Sequence, residues 1–337
     1  MQTSRCRLAI VHLTRPIDTL TSGFKSRRIR PVLCNDWKIA EPDLDTILTQ
    51  HPQPLEALAA GEIPALVIRQ AYPATSCRGL MERLVAEELL YDPLQPVPDK
   101  FLEAAIPEGY FREGRSKEAS SAWRARTAQG QRRIDIGTSL GYRGSDPDDF
   151  FAHSRETHDL FAKLFAEGDD PIAVLYAALQ NLSRTKRAVT ARESDGRTYG
   201  PAIIRAHYGG YTYAPHFDSV RLREKREGYA VHEFEHQFAG VLVLQNTQLG
   251  DASAQCVLHQ CLWKPDVEPH LRERTFHDYA TREGIANVQV VLEPGDLYFF
   301  NTRGIHEVPG VAGQQPRVVL ATFIGYSSDR EEIFVWS

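Results

Sequence analysis

The stretch YGGYTYAPHFD, residues 208–218, ends in two side chains of the kind that bind metals. His216 and Asp218 lie two positions apart, and on a β-strand this spacing turns both side chains to one face. A third donor, His306 in GDLYFFNTRGIHEVPGV, follows Asp218 by 88 residues, enough for several strands to intervene. Two histidines and one carboxylate form the face that holds non-haem Fe(II) and leaves its other positions open. The sequence therefore predicts an iron site at His216, Asp218 and His306.

An arginine follows the distal histidine at a spacing that suits a cosubstrate site. Arg317 lies 11 residues after His306 and begins the apolar run RVVLATFIGY. A planar guanidinium matches a carboxylate with two parallel hydrogen bonds. We therefore expect Arg317 to anchor a dicarboxylate. A lone HxD is a weak motif, and the order of the HxD, the distal histidine and the arginine gives the iron interpretation its support.

The segment HEFEH, residues 232–236, fits a different metal motif, the HExxH of zinc proteases. That chemistry needs His232 and His236 on one helical face, with Glu233 beside them as general base. Glycines flank the segment, and the apolar run at 241–244 is typical of a strand. We expect a charged loop at 219–236. A zinc-dependent hydrolase remains an alternative function, as does a non-catalytic, cupin-like binding module.

Within that charged loop, two arginines lie closest to the predicted iron ligands in the chain. Arg221 and Arg223 follow Asp218 by three and five residues. Groups that bind substrates are concentrated on loops. We therefore predict that Arg221 and Arg223 contact an acidic group on the substrate, whereas the remaining charges of the loop are nearly balanced and face solvent.

Composition narrows the classes of function. The 337 residues are 42% hydrophobic, which is enough for a substantial core. The net charge of −5 disfavours a nucleic-acid partner. The longest apolar runs fall far short of the roughly 20 residues that span a bilayer. Five cysteines are scattered along the chain, as expected for free thiols in a reducing compartment, and this predicts a cytoplasmic protein.

The elements that position these residues follow from periodicity. We predict a basic, poorly ordered extension at 1–40 and one domain at 41–337, with a helical buttress at 41–195 and a jelly-roll core at 196–337. Helices are predicted at 44–49, 77–90, 147–168 and 171–187. Strands are predicted at 65–69, 201–207, 211–217, 237–246, 254–262, 287–292, 296–301, 306–312, 317–326 and 331–336. The predicted fold class is α+β, with a cupin-like double-stranded β-helix.

With HFD, His306 and Arg317 identified, the chain resembles the Fe(II)/2-oxoglutarate-dependent oxygenases. GDLYFFNTRGIHEV, PRVVLATFIGY and SSDREEIFVWS are most similar to the freestanding small-molecule hydroxylases and aliphatic halogenases. The YGGYTYAPHFD stretch is similar to the prolyl-hydroxylase-like branch, in which a tyrosine on the preceding strand contacts 2-oxoglutarate, and Tyr208 matches that position. The resemblance implies an Fe(II) cofactor, 2-oxoglutarate and O2 as cosubstrates, and a small-molecule substrate. It leaves the oligomeric state open.

One departure from the halogenases concerns the carboxylate. In those enzymes the carboxylate position holds a small residue, which opens a site for chloride on iron, whereas this chain has Asp218. The resemblance therefore implies hydroxylation or a related oxidation of an aliphatic C–H bond, coupled to decarboxylation of 2-oxoglutarate to succinate.

Overall fold

The computed structural model describes residues 37–102 and 130–337, so most of the predicted N-terminal extension lies outside the described residues. The helices among them are Leu44–Gln50, Pro54–Ala60, Ala74–Ala86, Asp99–Leu102, Leu140–Arg143, Pro147–Phe165, Pro171–Ser183, Glu268–Arg272 and Phe276–Glu283, with a 3-10 turn at Ala230–Glu233. The strands are β1 Ala65–Ile68, β2 Arg132–Ile136, β3 Arg187–Thr190, β4 Ile203–Tyr208, β5 Tyr213–His216, β6 His236–Gln245, β7 Gln248–Leu249, β8 Ala252–Ser253, β9 Cys256–Leu262, β10 Asn287–Val290, β11 Leu297–Asn301, β12 Gly304–Val308, β13 Arg317–Tyr326 and β14 Glu332–Trp336.

Two sheets form the core. The larger sheet runs β1-β11-β6-β13, and the far edge of β13 is shared by β4, which continues to β2, and by β14, which continues to β3. The smaller sheet runs β10-β9-β12-β5. The paired strands of both sheets are antiparallel except β14 with β3. This architecture is a double-stranded β-helix, or jelly roll, buttressed by helices, and it confirms the predicted fold class.

Both faces of the larger sheet are buried, and its side chains alternate between two apolar clusters. On β6, Phe238 and Leu242 pack against the helices, whereas Ala239 and Val241 face the smaller sheet. The same alternation occurs on β4, β11 and β13. A shift of one residue would exchange these two faces. The register in turn decides which polar side chains point between the sheets.

The helix predicted at 147–168 follows an aspartate, a residue type that favours the N-cap position. The Asp146 side chain accepts hydrogen bonds from the backbone N–H groups of Asp148 and Asp149, so it is the N-cap of the helix Pro147–Phe165. Pro147 occupies the first turn, where its missing N–H has no cost. The predicted buttress contributes the predicted strand β1 to the larger sheet and also the unpredicted strands β2 and β3. The helices Glu268–Arg272 and Phe276–Glu283, also unpredicted, interrupt the predicted all-strand core. These elements are short, which leaves little periodicity to detect.

Leu320→Ala tests how strongly the larger sheet depends on its contact with the helices. Leu320 is fully buried on β13 in the cluster that joins sheet and helices. We expect the free energy of unfolding to fall by about 2–5 kcal/mol because a large cavity is left behind. Chemical denaturation measures the change. The control Val291→Ala removes a 55% exposed side chain and should stay within about 0.5 kcal/mol. Equal effects of the two substitutions would contradict this account of the core.

Candidate active site

The pairing of β5 with β12 brings two histidines together. His216 and His306 are register partners across the two antiparallel strands, and their ring centroids lie 4.2 Å apart. Asp218 follows the end of β5, and its backbone N–H donates to the carbonyl of Thr302 at 2.9 Å. That bond ties the chain after β5 to the turn just before β12. Asp218 and His306, which are 88 positions apart in the sequence, therefore lie in one site.

Donor atoms of these three side chains converge. Asp218 Oδ2 lies 3.6 Å from His216 Nε2 and 3.7 Å from His306 Nε2. One ligand atom from each residue can be chosen so that all three lie within 4.8 Å of one another. Among residues 37–102 and 130–337, this is the one group of three or more such side chains close enough to share a metal ion. Imidazole and carboxylate donors at these separations suit a single divalent transition metal.

Backbone carbonyls set the orientation of both imidazoles. His216 Nδ1 lies 2.8 Å from the carbonyl oxygen of Ala214, and His306 Nδ1 lies 2.9 Å from that of Gly304. In each case Nδ1–H donates to the carbonyl two residues earlier, which leaves the Nε2 lone pair facing Asp218. Histidines that bind metals use this arrangement, in which the second ring nitrogen fixes the tautomer. The donor set therefore fits a metal ion.

Electrostatics keep the donors in the forms that bind metals. Burial, with His306 close by, lowers the pKa of His216 to about 3, so its imidazole is neutral. Burial by itself raises the pKa of the Asp218 carboxyl, but the neighbouring His216 and His306 and the charge of Arg223 hold it well below its usual range. The site therefore offers neutral nitrogen and an ionised carboxylate over the physiological range.

Arg223 fixes the carboxylate. Its Nη1 donates to Asp218 Oδ1 at 2.8 Å and to the carbonyl oxygen of Phe217 at 2.6 Å. Arg221 instead donates through Nη1 to the carbonyl oxygen of Phe234 at 3.2 Å. Both arginines were predicted to contact substrate, and this stays a prediction: in the structure Arg223 bonds to Asp218, and Arg221 bonds to the loop backbone. The hydrogen bond of Arg223 occupies Oδ1 and leaves Oδ2 for the metal side.

The predicted cosubstrate anchor lies in the same cavity as the three donors. Arg317, only 5% exposed, lines a cavity between the two sheets together with His216, Asp218 and His306. Tyr298 lines it as well; burial raises the pKa of its hydroxyl well above the ordinary value, and the nearby charge of Arg317 acts in the opposite direction. Tyr298 was missed from the sequence because aromatic residues in a strand usually signal packing. The alternation in LYFFN, which puts Tyr298 on the inner face, is the signal that could have found it.

Tyr208 lies on the opposite face of the sheet. Its hydroxyl donates to the carbonyl of Tyr91 at 3.0 Å, and its ring stacks on the Tyr91 ring with centroids 4.2 Å apart. Tyr208 belongs to the apolar cluster that joins sheet and helices. The Tyr208 side chain therefore points away from the cavity in which we expected it to contact 2-oxoglutarate. Side chains on β4 alternate, so the neighbouring His207 faces the cavity instead.

The HEFEH segment does not form a zinc site. His232 belongs to the 3-10 turn Ala230–Glu233, and His236 is the first residue of β6. The two histidines are therefore not displayed on one α-helical face, as the motif requires. Glu233, the candidate general base, forms an ion pair with Arg330. This geometry removes the structural basis of the zinc-hydrolase alternative.

Two basic residues of β4 line the cavity and were also missed. Arg205 and His207 lie on its inner face, among apolar residues of the same strand. Burial holds the pKa of His207 well below its ordinary value, and the charges of Arg317 and Arg133 lower it further. His207 is therefore neutral beside Arg317, its register partner on β13. In the sequence IIRAHY, the spacing of Arg205 and His207 is the pattern that indicates a polar inner face.

The jelly-roll core and the two-histidine, one-carboxylate cluster define the class of the protein as an Fe(II)/2-oxoglutarate-dependent oxygenase, which uses iron as cofactor and 2-oxoglutarate as cosubstrate. Residues 41–337 match the family of the carrier-protein-independent halogenase WelO5. The chain belongs to this family. The match confirms the superfamily that the sequence motifs indicated.

Three solved structures that are similar to this chain illustrate the comparison. An N-substituted L-amino acid dioxygenase from Burkholderia ambifaria AMMD shares 16% identity, with 84% of this chain and 90% of that chain covered and a TM-score of 0.48. The epimerase SnoN, with Fe3+, alpha-ketoglutarate and nogalamycin RO, shares 12%, with 83% and 88% covered and a TM-score of 0.38. HygX from Streptomyces hygroscopicus, with nickel and 2-oxoglutarate, shares 12%, with 83% and 89% covered and a TM-score of 0.39. No curated protein matches the sequence significantly.

Within the described part of the chain, every helix is too short or too polar to cross a bilayer.

Arg223→Met tests the positioning of Asp218. Loss of the guanidinium releases Asp218 Oδ1, and outer partners of metal ligands typically contribute about 10–100-fold in metal affinity. We expect the dissociation constant for Mn(II), measured anaerobically by calorimetry, to rise by about that factor. Arg221→Met is the matched control from the same loop, and its affinity should stay near that of the unaltered protein. A larger loss in Arg221→Met than in Arg223→Met would contradict the assignment.

Proposed function

We propose that this protein is an oxygenase that hydroxylates an aliphatic C–H bond of a small molecule and converts 2-oxoglutarate to succinate. The observation that carries the proposal is the complete set of His216, Asp218 and His306 in one cavity with Arg317. His216 Nε2, His306 Nε2 and Asp218 Oδ2 are the atoms that would hold Fe(II). When bound, iron with 2-oxoglutarate and O2 supplies the oxidising chemistry, which protein side chains lack.

The residues of this chain orient the reactants and exclude water. Arg317 offers a buried guanidinium to the distal carboxylate of 2-oxoglutarate, and Tyr298 lines the cavity close to it. A charged hydrogen bond is stronger when it is removed from water, so burial favours tight and oriented binding. The apolar inner-face residues Val241, Phe300 and Val319 line the same cavity and keep it poor in polar groups around the reacting centre.

The identity of residue 218 favours hydroxylation within a family that is named for a halogenase. In aliphatic halogenases the matching position holds a small residue, so that a halide can bind to iron. Here Asp218 fills that position, and Arg223 holds its second oxygen. A carboxylate ligand leaves no position for a halide. Halogenation is the second candidate function, because the family match itself favours it.

Substitution of Asp218 tests the proposed function. We expect the unaltered protein to form succinate from 2-oxoglutarate in a reaction that needs Fe(II) and O2, and to add oxygen to a component of a metabolite mixture. Asp218→Ala should lose this oxygenated product, because the metal loses its only anionic protein ligand. Mass spectrometry measures both products.

His236→Ala is the control for the same experiment, since a zinc hydrolase based on HEFEH would need His236. This variant should retain succinate formation. Full hydroxylation by Asp218→Ala would remove Asp218 from the ligands, and a chlorinated product from the unaltered protein in chloride buffer would replace hydroxylation by halogenation.

Arg317→Met tests the cosubstrate anchor. Loss of one charged hydrogen-bonding partner costs about 1.5–3 kcal/mol, which corresponds to roughly a tenfold or greater rise in the dissociation constant for 2-oxoglutarate. The visible charge-transfer band of the anaerobic Fe(II) complex reports the binding. Arg303→Met changes an exposed arginine outside the cavity that contains Arg317, and this variant should bind 2-oxoglutarate normally. Unchanged affinity in Arg317→Met would transfer the anchoring role to another group.

A further inference from the structure

The cavity of the proposed iron site contains polar atoms that the described residues leave without partners. Arg205 Nε, His207 Nε2, the Tyr213 hydroxyl and Thr322 Oγ1 are all buried, and none has a hydrogen-bond partner within residues 37–102 and 130–337. All four residues line the cavity. Buried polar atoms are nearly always paired in folded proteins, so a cluster of unpaired atoms in one cavity indicates a ligand.

Among the four groups, Arg205 carries a full charge. Its register partner on β2 is Asp135, but Arg205 Nε lies 3.9 Å from Asp135 Oδ1, beyond hydrogen-bond distance. Arg133 donates to both oxygens of that carboxylate, to Oδ1 at 2.7 Å. Among the described residues, one carboxylate thus serves two guanidinium groups. A buried charge is costly unless it is paired, so Arg205 favours the binding of an anion.

The position of Arg205 separates it from the proposed cosubstrate anchor. On β13, Arg317 faces His207 and Val319 faces Arg205, so Arg205 lies one inward-facing position further along the sheet. Two residues of a strand span about 7 Å. In the proposed function, 2-oxoglutarate directs one carboxylate to iron and the other to Arg317. No charged group of 2-oxoglutarate remains for Arg205.

We infer that Arg205 anchors a carboxylate of the primary substrate, so that the substrate class is a small organic acid. This inference rests on the proposed function of the same cavity. The guanidinium forms the ion pair, and the hydroxyl of Tyr213, from β5 of the facing sheet, is a further hydrogen-bonding group in the same cavity. Arg205 is thereby a determinant of substrate specificity that is distinct from Arg317.

The test uses the simplest carboxylate as its probe. The full-length protein, loaded with Mn(II) in place of Fe(II) and with saturating 2-oxoglutarate, is heated with increasing acetate, acetamide or chloride at equal ionic strength. A ligand that binds only the folded state raises Tm, and acetate at several times its Kd should raise Tm by about 2 °C. Acetamide has nearly the same shape without the charge, so it should produce less than half of that shift.

Variants assign the effect to one side chain. Arg205→Met should abolish the acetate shift, and Arg205→Lys, which keeps the charge, should retain part of it. Arg187→Met, a substitution of a 70% exposed arginine, is the matched control and should respond like the unaltered protein. Arg205→Met should keep its Tm increase with 2-oxoglutarate, whereas Arg317→Met should lose it, so failure of the proposed cosubstrate site is visible separately.

Three outcomes overturn the inference. Equal shifts with acetate and acetamide mean that charge is not recognised. Equal shifts with acetate and chloride assign the position to a halide. An acetate shift that survives in Arg205→Met places the carboxylate elsewhere. If Arg205→Met does not fold, the first two comparisons on the unaltered protein and the response of Arg205→Lys still decide the question.

Discussion

The antiparallel pairing of β5 with β12 is the constraint on which the rest of the site depends. It places His216 directly opposite His306, and the bond from Asp218 N–H to Thr302 closes the same corner. β5 could not hold this register alone, because it has only four residues and lies at the edge of the smaller sheet. The larger sheet, packed by helices on one face and by the smaller sheet on the other, supplies the rigidity that a metal site needs.

Charge inside the barrel is organised in two groups. Asp218 lies beside the imidazoles of His216 and His306 and the guanidinium of Arg223, so its negative charge is compensated before any metal is bound. Further along the barrel, Arg317 and Arg205 are positive groups in a largely apolar cavity. Such an arrangement favours ligands that bring negative charge with them, since an anion would repay the cost of burying these guanidinium groups.

Family membership and local chemistry bear on different levels of function. The family match establishes an Fe(II)/2-oxoglutarate-dependent oxygenase and places the chain beside a halogenase. In the proposed function, a single residue decides between hydroxylation and halogenation, because a bound carboxylate would exclude a halide. Asp218, held by Arg223, supports hydroxylation, whereas the family match favours halogenation. The proposed anchor of the substrate, Arg205, belongs to the second of the two charged groups.

The sequence by itself determined the chemistry of the centre. The HxD motif, the distal His306 and Arg317 could be named because residue type and spacing limit what a strand can display. Helix and strand positions followed from periodicity, and Asp146 was a recognisable cap. Only the tertiary structure decided which face of each strand lines the cavity. On β4 that face carries His207, whereas Tyr208 points to the helices. Strand parity depends on which side of a sheet is covered by helices, and a sheet buried on both faces looks apolar in either register.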